Sequence, residues 1–443
     1  MKILKFGGTS LGTPEDIRHV SEIINDGEQQ VVVLSAIAGT TNRLIELIEL
    51  VRRYQINDAQ NKILELKYEY EKYIIGLFSD KDFILKAEDL LGESFNKFSA
   101  LHPESLSEEY EREILAQGEM LSSRIFQLFL ESLELKSRLI CALNFMRTDK
   151  DGEPDMYYIK TNIEKCMQNA PEADVYVTQG YICRNYAGEI DNLGRDGSDY
   201  SASIIGSVLN ASEIQIWTDV DGVHNNDPRI VSDTNPIKEL SYKEAAELSY
   251  FGAAILHPKC VFPAQVKNIP LKLKNTFKPN APGTLISSSS KRDKVKSVAA
   301  KDGIIAIRIR SARMLMAYGF LRKVFQVFED YETPIDMIST SEISVSLTID
   351  NPKNLNAILA DLKLFGDVEY DLDQTIICVV GDFMAEETGM ARTVLDAFQE
   401  IPVRMISYGG SMNNISLLVK SADKKRSLES LHQKIFIRQE SYV

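Results

Sequence analysis

The sequence is short of the residues that build disulfide frameworks, metal clusters and membrane spans. Its 443 residues include five cysteines, far apart and never spaced as Cys-x-x-Cys, so neither a disulfide framework nor a zinc site is indicated. No run approaches the ~18 apolar residues that a membrane span needs. Lys5 and a glycine pair interrupt the N-terminus before a signal-like apolar run develops. These absences predict a cytoplasmic protein with no membrane partner.

Positive charge is also scarce. Lys and Arg number 50 against 64 Asp and Glu, which gives a net charge of −14 and a pI near 5.1. A nucleic-acid partner needs a basic surface, so this balance predicts that there is none. The length and the 44% hydrophobic content are typical of two to four globular domains with sizeable cores.

Residues 1–285 alternate short β-branched runs with helical patterns, which predicts an α/β domain with a largely parallel sheet. The predicted strands are 30–35, 174–179, 213–218 and 271–275. Small-residue loops follow the first three strands, as ligand-binding edges of open sheets commonly show. The helical spacing of apolar residues over 57–135 predicts a helical insertion. Its charged residues are interpreted as solvent-exposed helix faces, and only Gln117-Gly118-Glu119 is considered as a functional segment. A linker is predicted over 286–302.

An internal repeat follows the linker. Gly319, Val324, Phe328, Pro334, Met337, Ile338 and Ser339 recur as Gly389, Val394, Phe398, Pro402, Met405, Ile406 and Ser407. Eight predicted strands and four helices suit two βαββαβ, ferredoxin-like modules, at 303–371 and 372–443. The second module lacks a convincing last strand, and a spare strand from Val295 could fill that place. The two modules would then be interleaved.

Four loops carry groups suited to anions. The first, Lys5 to Ser10, pairs a cation with Gly7-Gly8, whose backbone N–H groups can approach a phosphate closely. The second, 194–201, combines Arg195, Asp199 and hydroxyls before a small-residue helix, and Asp199 could orient a cation or Lys5. The third, 217–223, joins two acids to a glycine turn before Asp227-Pro228-Arg229. The fourth, 35–42, is small and polar.

Each loop also has a purely structural interpretation. Lys5 could be a strand-end cation, and the Asp and Ser residues could be helix caps or ordinary turn residues. The loops together favour transfer between two anionic ligands. No Cys, His or Ser-His-Asp arrangement stands beside them, and His257 before Pro258 is interpreted as structural. Phosphoryl transfer needs mainly positioning and charge stabilisation, which such loops offer.

These motifs resemble those of the aspartokinases. The matching segments run in family order: Lys5 to Ser10, 38–42, 117–119, 194–200, 217–220, 227–229, 251–253 and 256–258. The resemblance covers nearly the whole chain. It implies a three-layer α/β/α amino-acid-kinase sandwich followed by two ferredoxin-like (ACT) α+β modules. It also implies MgATP-dependent phosphorylation of the β-carboxylate of L-aspartate to 4-phospho-L-aspartate, the first step of lysine, threonine and methionine biosynthesis.

The resemblance assigns roles residue by residue. Lys5 would neutralise the transferring phosphoryl group and Asp199 would organise the site. Aspartate would be held by Thr41, Glu119, Arg195 and Ser198, with Arg195 on its α-carboxylate and Glu119 facing its ammonium. ATP would be contacted by Lys5, Gly7, Gly8, Ser10, Thr218, Asp219, His224 and Arg229. The ligands of Mg²⁺ are not assigned.

Two positions depart from the family pattern. Ala254 stands where relatives commonly have Lys or a polar residue that contacts the nucleotide, so this contact is expected to be lost. His224 stands where relatives often have Tyr beside the adenine, and an imidazole can stack there too. An alternative function therefore stays open: an inactive ACT-type amino-acid sensor. A kinase of another acidic amino acid, such as glutamate, is a further alternative.

Regulation is predicted from the first module. A set of its residues resembles the effector pocket of lysine-sensitive aspartokinases: Met314, Gly319, Leu321, Ile335, Asp336, Thr340, Ser341 and Glu342. The two acids suit the cationic groups of lysine. The second module has Arg404 opposite Asp336 and should bind lysine poorly. The predictions are inhibition by L-lysine and a homodimer formed through the ACT modules, although a purely structural dimerisation module is the alternative.

Overall fold

A computed structural model describes residues 1–170, 172–252, 256–289, 295–314, 318–382, 386 and 388–437, without the side chain of Arg313. The chain divides into two compact units. The first comprises Met1–Val223 and Leu256–Ser290, and the second comprises His224–Ile255 and Lys291–Val443. Sequence analysis grouped residues 224–255 with the first domain. Residues 224–252 group instead with the second unit, and the backbone N–H of Val298 in that unit donates to the carbonyl of Asn225 at 3.0 Å.

The first unit holds eight helices and nine strands among the residues described. Its helices are α1 (Pro14–Ile24), α2 (Thr40–Arg52), α3 (Ile56–Leu77), α4 (Lys81–Ser99), α5 (Glu108–Ser132), α6 (Met156–Gln168), α7 (Gly197–Leu209) and α9 (Pro258–Lys267). Its strands are β1 (Lys2–Phe6), β2 (Gln30–Leu34), β3 (Ser137–Leu139), β4 (Val175–Gln179), β5 (Ile182–Arg184), β6 (Ile190–Asn192), β7 (Glu213–Thr218), β9 (Leu271–Asn275) and β10 (Thr284–Ser287).

Seven strands of this unit lie in the order β3-β4-β2-β1-β7-β9-β10, parallel except for β10. Alternate residues of the strands face opposite sides of the sheet. Leu4 and Phe6 of β1 join a core with α1, α2 and α5, while α7 packs on β1 and β7. The predicted α/β/α layering is therefore confirmed, and the four predicted strands are present.

The predicted helical insertion consists of α3, α4 and α5, whose apolar faces pack together. Buried aromatic side chains join these helices, with Tyr70 of α3 edge-on to Phe95 of α4 at 6.1 Å between ring centroids. Glu119 lies in the middle of α5, the longest of the three helices. The insertion thus builds a rigid support for one wall of the sheet's ligand-binding edge.

The second unit contains a six-stranded antiparallel sheet in the order β12-β13-β11-β14-β16-β15. The strands of this sheet are β11 (Ser297–Arg310), β12 (Ile338–Thr340), β13 (Ser344–Ile349), β14 (Asp367–Val380), β15 (Met405–Tyr408) and β16 (Asn414–Lys420). The second unit also contains the short strand β8 (Glu239–Ser241), which is not part of this sheet. The helices of the second unit are α8 (Tyr242–Tyr250), α10 (Phe320–Asp330), α11 (Leu355–Leu362), α12 (Met390–Asp396) and α13 (Lys424–His432).

The repeat predicted from sequence corresponds to two cores on this sheet. One core gathers residues of α10 and α11, and the other gathers residues of α12 and α13. Gly319 and Gly389, equivalent in the repeat, precede α10 and α12 with φ of 80° and 85°. A left-handed backbone of this kind favours glycine, so the repeat preserves the helix start in both modules.

β11 is shared by the two modules. Its first residues, Ser297 to Lys301, pair with β14 at Ile376 to Val380, while Ile305 to Arg310 pair with β13 of the first module. The interleaving predicted from the spare strand is therefore present. The linker expected from 286 overlaps β10, where Ile286 is fully buried. No helix in the described part of the chain has the length and apolarity to cross a membrane.

Candidate active site

A cavity of about 550 Å³ lies in the first unit, at the carboxyl ends of β1, β2 and β4. Three of the four predicted anion loops line it, and the loop 217–223 does not. The lining residues are Lys5, Gly8, Ser35, Ala36, Ile37, Ala38, Gly39, Thr41, Asn42, Glu119, Tyr181, Gly194, Arg195, Asp196, Gly197, Ser198 and Asp199. Parallel strands end at the same edge of a sheet, which is why distant loops meet here.

Lys5 and Asp199 form an ion pair inside this cavity. The Lys5 ammonium lies 2.6 Å from the Asp199 carboxylate, and the side chains are only 11% and 9% exposed. Of the two partners considered for Asp199, a cation or Lys5, the structure shows Lys5. Burial raises the pKa of Asp199, and the adjacent ammonium opposes that shift. The pair places a fixed positive charge where a phosphoryl group could be stabilised.

Two helix N-termini border the same space. α2 begins at Thr40, next to Thr41, and α7 begins at Gly197, next to Ser198. The unpaired N–H groups and the dipole of a helix N-terminus attract anions. Together with Lys5 they make this side of the cavity electropositive, as a site for phosphate and carboxylate groups requires.

Glycines bring the backbone close to the cavity wall. A Cβ on Gly8 would lie 2.8 Å from the carbonyl oxygen of Ala36, and one on Gly180 would lie 2.6 Å from the Cβ of Ser198. Neither separation is sterically allowed, so both positions require glycine. Gly8 therefore allows the loop after β1 to contact the loop after β2, and Gly180 allows the start of α7 to approach the end of β4.

Glu119 supplies a negative group to an otherwise electropositive cavity. One carboxylate oxygen accepts from the backbone N–H of Ala36 at 3.4 Å. The other, Oε2, is buried without a hydrogen-bond partner among the described residues. Burial raises the pKa of Glu119 to about 7, and its backbone hydrogen bonds oppose this. An incoming ammonium could satisfy the unpartnered oxygen and favour ionisation.

The other predicted aspartate-binding residues also line the cavity. Thr41 is half-buried, Ser198 is buried, and the Arg195 side chain is 82% exposed. The nearest carboxylate paired with Arg195 is that of Asp196, at 3.9 Å. Such a long, exposed contact is weak, so the guanidinium can turn to an external carboxylate without a large loss.

Tyr181 is a cavity residue that sequence analysis missed. Its φ of 66° is unusual for a residue other than glycine. Ser201 stabilises it, because its hydroxyl accepts from the backbone N–H of Tyr181 at 3.0 Å. Burial raises the pKa of the phenol to about 12, and Glu119 contributes to the shift. The available sequence signal was the preceding Gly180, but nothing in the sequence predicts the left-handed turn.

Six of the residues predicted to contact the nucleotide belong to the first unit: Lys5, Gly7, Gly8, Ser10, Thr218 and Asp219. Gly7 donates its N–H to the carbonyl of Trp217 at 3.2 Å, and Thr218 donates to Asp219 at 3.1 Å. Ser10 is fully buried and shares a 2.6 Å hydrogen bond with Thr276, outside the cavity lining. This hydroxyl therefore supports the turn after β1, which the sequence did not indicate.

His224 and Arg229 belong to the second unit. Nδ1 of His224 is hydrogen-bonded to Thr234 at 2.9 Å, and Arg229 forms a fork with the Asp227 carboxylate at 2.8–2.9 Å. Ala254, where a nucleotide contact was expected to be lost, lies outside the described residues. His257 accepts from the N–H of Lys259 at the start of α9, in agreement with its structural interpretation.

The predicted effector residues lie in the first module of the second unit. Ile335, Leu321 and Met314 pack against its core, and Gly319 precedes α10. The Ser341 hydroxyl lies 2.7 Å from that of Ser344, while Thr340 and Glu342 are exposed. Asp336 is different, because its side chain is 1% exposed and paired with Lys301 at 2.7 Å.

The described residues contain no group of three or more His, Cys, Asp or Glu side chains that could hold a metal ion. Mg²⁺ commonly binds through one or two carboxylates together with substrate phosphates and water. The carboxylates that line the cavity are those of Glu119, Asp196 and Asp199.

Comparison with known proteins agrees with this fold. Residues 1–275 match the amino acid kinase family and residues 377–435 match an ACT domain. An α/β/α sheet with an anion-binding edge, followed by ACT modules, defines an amino-acid kinase with regulatory domains. The chain is 30% identical to lysine-sensitive aspartokinase 3 of Escherichia coli (strain K12), over 98% of this chain and 99% of that protein.

Two solved structures of E. coli aspartokinase III are similar over 98% of this chain. The complex with aspartate and ADP (R-state) has a TM-score of 0.84 at 28% identity and is covered completely. The complex with lysine and aspartate (T-state) has a TM-score of 0.79 at 29% identity and is 99% covered. The chain belongs to the aspartokinases, within the amino acid kinase family, and is an aspartate kinase.

Proposed function

We propose that the cavity binds L-aspartate and that its β-carboxylate receives the γ-phosphoryl group of MgATP. The observation that carries this proposal is the Lys5–Asp199 pair at 2.6 Å, in a cavity bordered by two helix N-termini and also lined by Glu119. The E. coli relative solved with aspartate and ADP supports the same ligands. The product would be 4-phospho-L-aspartate, the first intermediate of lysine, threonine and methionine biosynthesis.

Glu119 would receive the substrate ammonium, because its Oε2 is buried without a partner in the described chain. Arg195 would bind the α-carboxylate as a two-pronged donor. Thr41 and Ser198 would hold the β-carboxylate beside the helix N-termini. These contacts fix both ends of the amino acid and leave the β-carboxylate oxygen free to react.

In the transfer step a β-carboxylate oxygen attacks the γ-phosphorus. The bond between that phosphorus and the bridging oxygen of ADP breaks, and its electron pair stays on ADP. Aspartate is already ionised at neutral pH, so no general base is required. Lys5, held in place by Asp199, would neutralise charge on the transferring group. Magnesium bound to the ATP phosphates would neutralise further charge on them.

The direct test is a coupled assay of ADP release with MgATP and L-aspartate, together with trapping of the acyl phosphate by hydroxylamine. L-Glutamate and other amino acids are compared under the same conditions. We expect aspartate to give the highest kcat/KM. A better amino acid would overturn the substrate assignment. Absence of ADP release with every amino acid would instead favour the sensor alternative.

Regulation by L-lysine is the finer part of the proposal. The similarity to lysine-sensitive aspartokinase 3 and the two acids Asp336 and Glu342 in the first module support it. Lysine titrations of the wild type and a Glu342→Ala variant test it, because Glu342 is exposed and its loss should leave the fold intact. Inhibition by threonine in place of lysine would overturn the effector assignment.

The protein is further proposed to be a homodimer formed through its ACT modules. The strands β12 and β15 lie at the two edges of the six-stranded sheet, and Ile338, Ile406 and Tyr408 on them are exposed. Exposed apolar edges are suited to pairing with another chain. Sedimentation of the whole chain tests this, and a monomer at micromolar concentration would contradict it.

A further inference from the structure

Asp336 is bonded to two donors that its neighbourhood in the sequence does not suggest. The hydroxyl of Tyr250, the last residue of α8, donates to Oδ1 of Asp336 at 2.7 Å. The ammonium of Lys301, in β11, donates to the same oxygen at 2.7 Å. Lys301 also lies 4.2 Å from the centre of the Tyr250 ring. Three elements of the second unit thus meet at one carboxylate.

The second oxygen of this carboxylate has no hydrogen-bond partner among the described residues. Asp336 Oδ2 is buried, and the whole side chain is only 1% exposed. Leaving a buried charged acceptor unsatisfied is costly. The backbone that carries the carboxylate is held in place, because the N–H groups of Asp336 and Met337 are both bonded to Thr348.

The surrounding charge favours a cation at this oxygen. Lys301 is paired with both Asp336 and Asp350, at 2.7 and 2.8 Å, so the three groups carry one net negative charge. Burial alone would lower the pKa of Lys301, but its bonds to the two acids raise it. Burial and Asp336 raise the pKa of Tyr250. Both groups therefore stay protonated and keep donating at neutral pH.

We propose that Lys301 and Tyr250 are positioning residues of an ammonium-binding site: they hold Oδ1 of Asp336 so that Oδ2 receives the cationic group of an amino-acid effector. The inference rests on the lysine regulation proposed above and adds helix α8 to the effector site. The effector's ammonium supplies the donor that Oδ2 lacks and balances the net charge. Because Tyr250 ends α8, effector binding and the order of this helix are thermodynamically linked.

The second module contains a different arrangement at the corresponding place. Arg404, opposite Asp336 in the repeat, pairs with Asp371. Glu247 of α8, one turn before Tyr250, accepts from the hydroxyl of Ser411 at 2.6 Å. In the second module, the Glu247 carboxylate of α8 is thus the acceptor, and Ser411 in a loop of the module is the donor. Glu247 therefore bonds α8 to the second module through donors of that module, the Ser411 hydroxyl and the Asn414 amide.

The test measures L-lysine binding to the full chain by isothermal titration calorimetry, so that it does not depend on turnover. The Tyr250→Phe variant should bind lysine about five- to tenfold more weakly, as expected for loss of a hydrogen bond to a charged group. Asp336→Asn should weaken binding at least about thirtyfold. Hydrogen exchange should show that lysine protects α8 in the wild type and protects it less in Tyr250→Phe.

A matched control is available in the same module. The Tyr331 hydroxyl donates to Asp361 at 2.9 Å, so Tyr331→Phe removes the same kind of bond away from Asp336 and should leave lysine affinity unchanged. Equal affinities of wild type and Tyr250→Phe would overturn the role of Tyr250 while lysine regulation stands. Absence of lysine binding to the wild type would overturn both, and the kinase assay would still report separately on the active site.

Discussion

The ammonium of Lys5 and the carboxylate of Asp199 form a buried pair at 2.6 Å, although 194 positions separate the two residues. The pair joins the end of β1 to the first turn of α7. It therefore has two roles, since it fixes the geometry of the cavity and supplies its central positive charge. These roles can be separated by mutation.

Lys5→Ala should lower kcat at least about a hundredfold, as observed when a preorganised charge is removed from a transition state. It should also lower the free energy of unfolding by about 3–5 kcal/mol, because Asp199 is left buried without its counter-ion. Turnover assays and urea unfolding measure the two effects, with circular dichroism to verify the fold.

The double variant Lys5→Met, Asp199→Asn serves as the control for that experiment. It removes both charges, so most of the lost stability should return while activity stays low. A variant that recovers stability and retains near wild-type kcat would show that Lys5 has no catalytic role.

The affinity for aspartate should depend on the ionisation of Glu119. Its pKa of about 7 in the folded protein means that only about a tenth of the free enzyme carries the charge at pH 6. The KM for aspartate should therefore be about tenfold higher at pH 6 than at pH 8. Glu119→Gln should have a high KM with little dependence on pH over this range.

Ionisation of Glu119 should favour aspartate binding but lower the stability of the folded protein. The folded-state pKa of Glu119 lies above the ordinary value of 4.5, so the folded state binds the proton more tightly. Stability is thus greatest below about pH 4.5 for this group and decreases as the pH rises to about 7. Without aspartate, Glu119→Gln should raise the melting temperature at pH 8 relative to the wild type, and a lower value would contradict the burial argument.

Arg195→Ala should chiefly raise the KM for aspartate, by about ten- to a hundredfold, as the loss of a charge-assisted pair with the α-carboxylate requires. Its stability should change little, since the guanidinium is 82% exposed and its contact with Asp196 is long. Arg138→Ala, an exposed arginine on β3, is the matched control and should keep the wild-type KM. A fall in kcat with unchanged KM would assign Arg195 to the transition state instead.

Gly180→Ala should reduce activity severely, because its Cβ would lie 2.6 Å from the Cβ of Ser198 and displace the start of α7. Gly92→Ala, in the middle of α4 with no atom within 4 Å of the new Cβ, should stabilise the protein by about 0.5–1 kcal/mol. Thermal unfolding and kinetic assays of both variants distinguish a local steric effect from a general effect of alanine.

Local patterns were sufficient to predict four strands of the first unit, β2, β4, β7 and β9. They also predicted three of the cavity loops, because parallel strands bring their carboxyl ends to one edge. They were insufficient for β11, where Asp302-Gly303 suggests a turn between two strands. The structure accommodates this dipeptide as an irregularity, with a register shift after Lys301 and φ of 75° at Gly303. Cross-strand bonding on both sides overrides the local preference.

Long-range placement was the harder part of the site. Tyr181 takes its left-handed backbone from a bond to Ser201, and Ser10 is drawn inward by Thr276. Residues 224–252 read locally as a continuation of the first domain, yet Asn226 donates to the carbonyl of Leu428. Bonds between residues so far apart in sequence leave no periodic or compositional signal.

The sharing of β11 also constrains how the second unit can be assembled during synthesis. Ser297 to Lys301 pair with Ile376 to Val380, but they are translated before the whole first module. The sheet of the second module is therefore complete only when these two distant segments have paired. Such non-local pairing slows folding. A fragment that begins at 303 would leave the edge of β14 at Ile376 to Val380 unpaired, and this edge could then pair with a strand of another chain. The two modules are therefore one folding unit despite their repeated sequence.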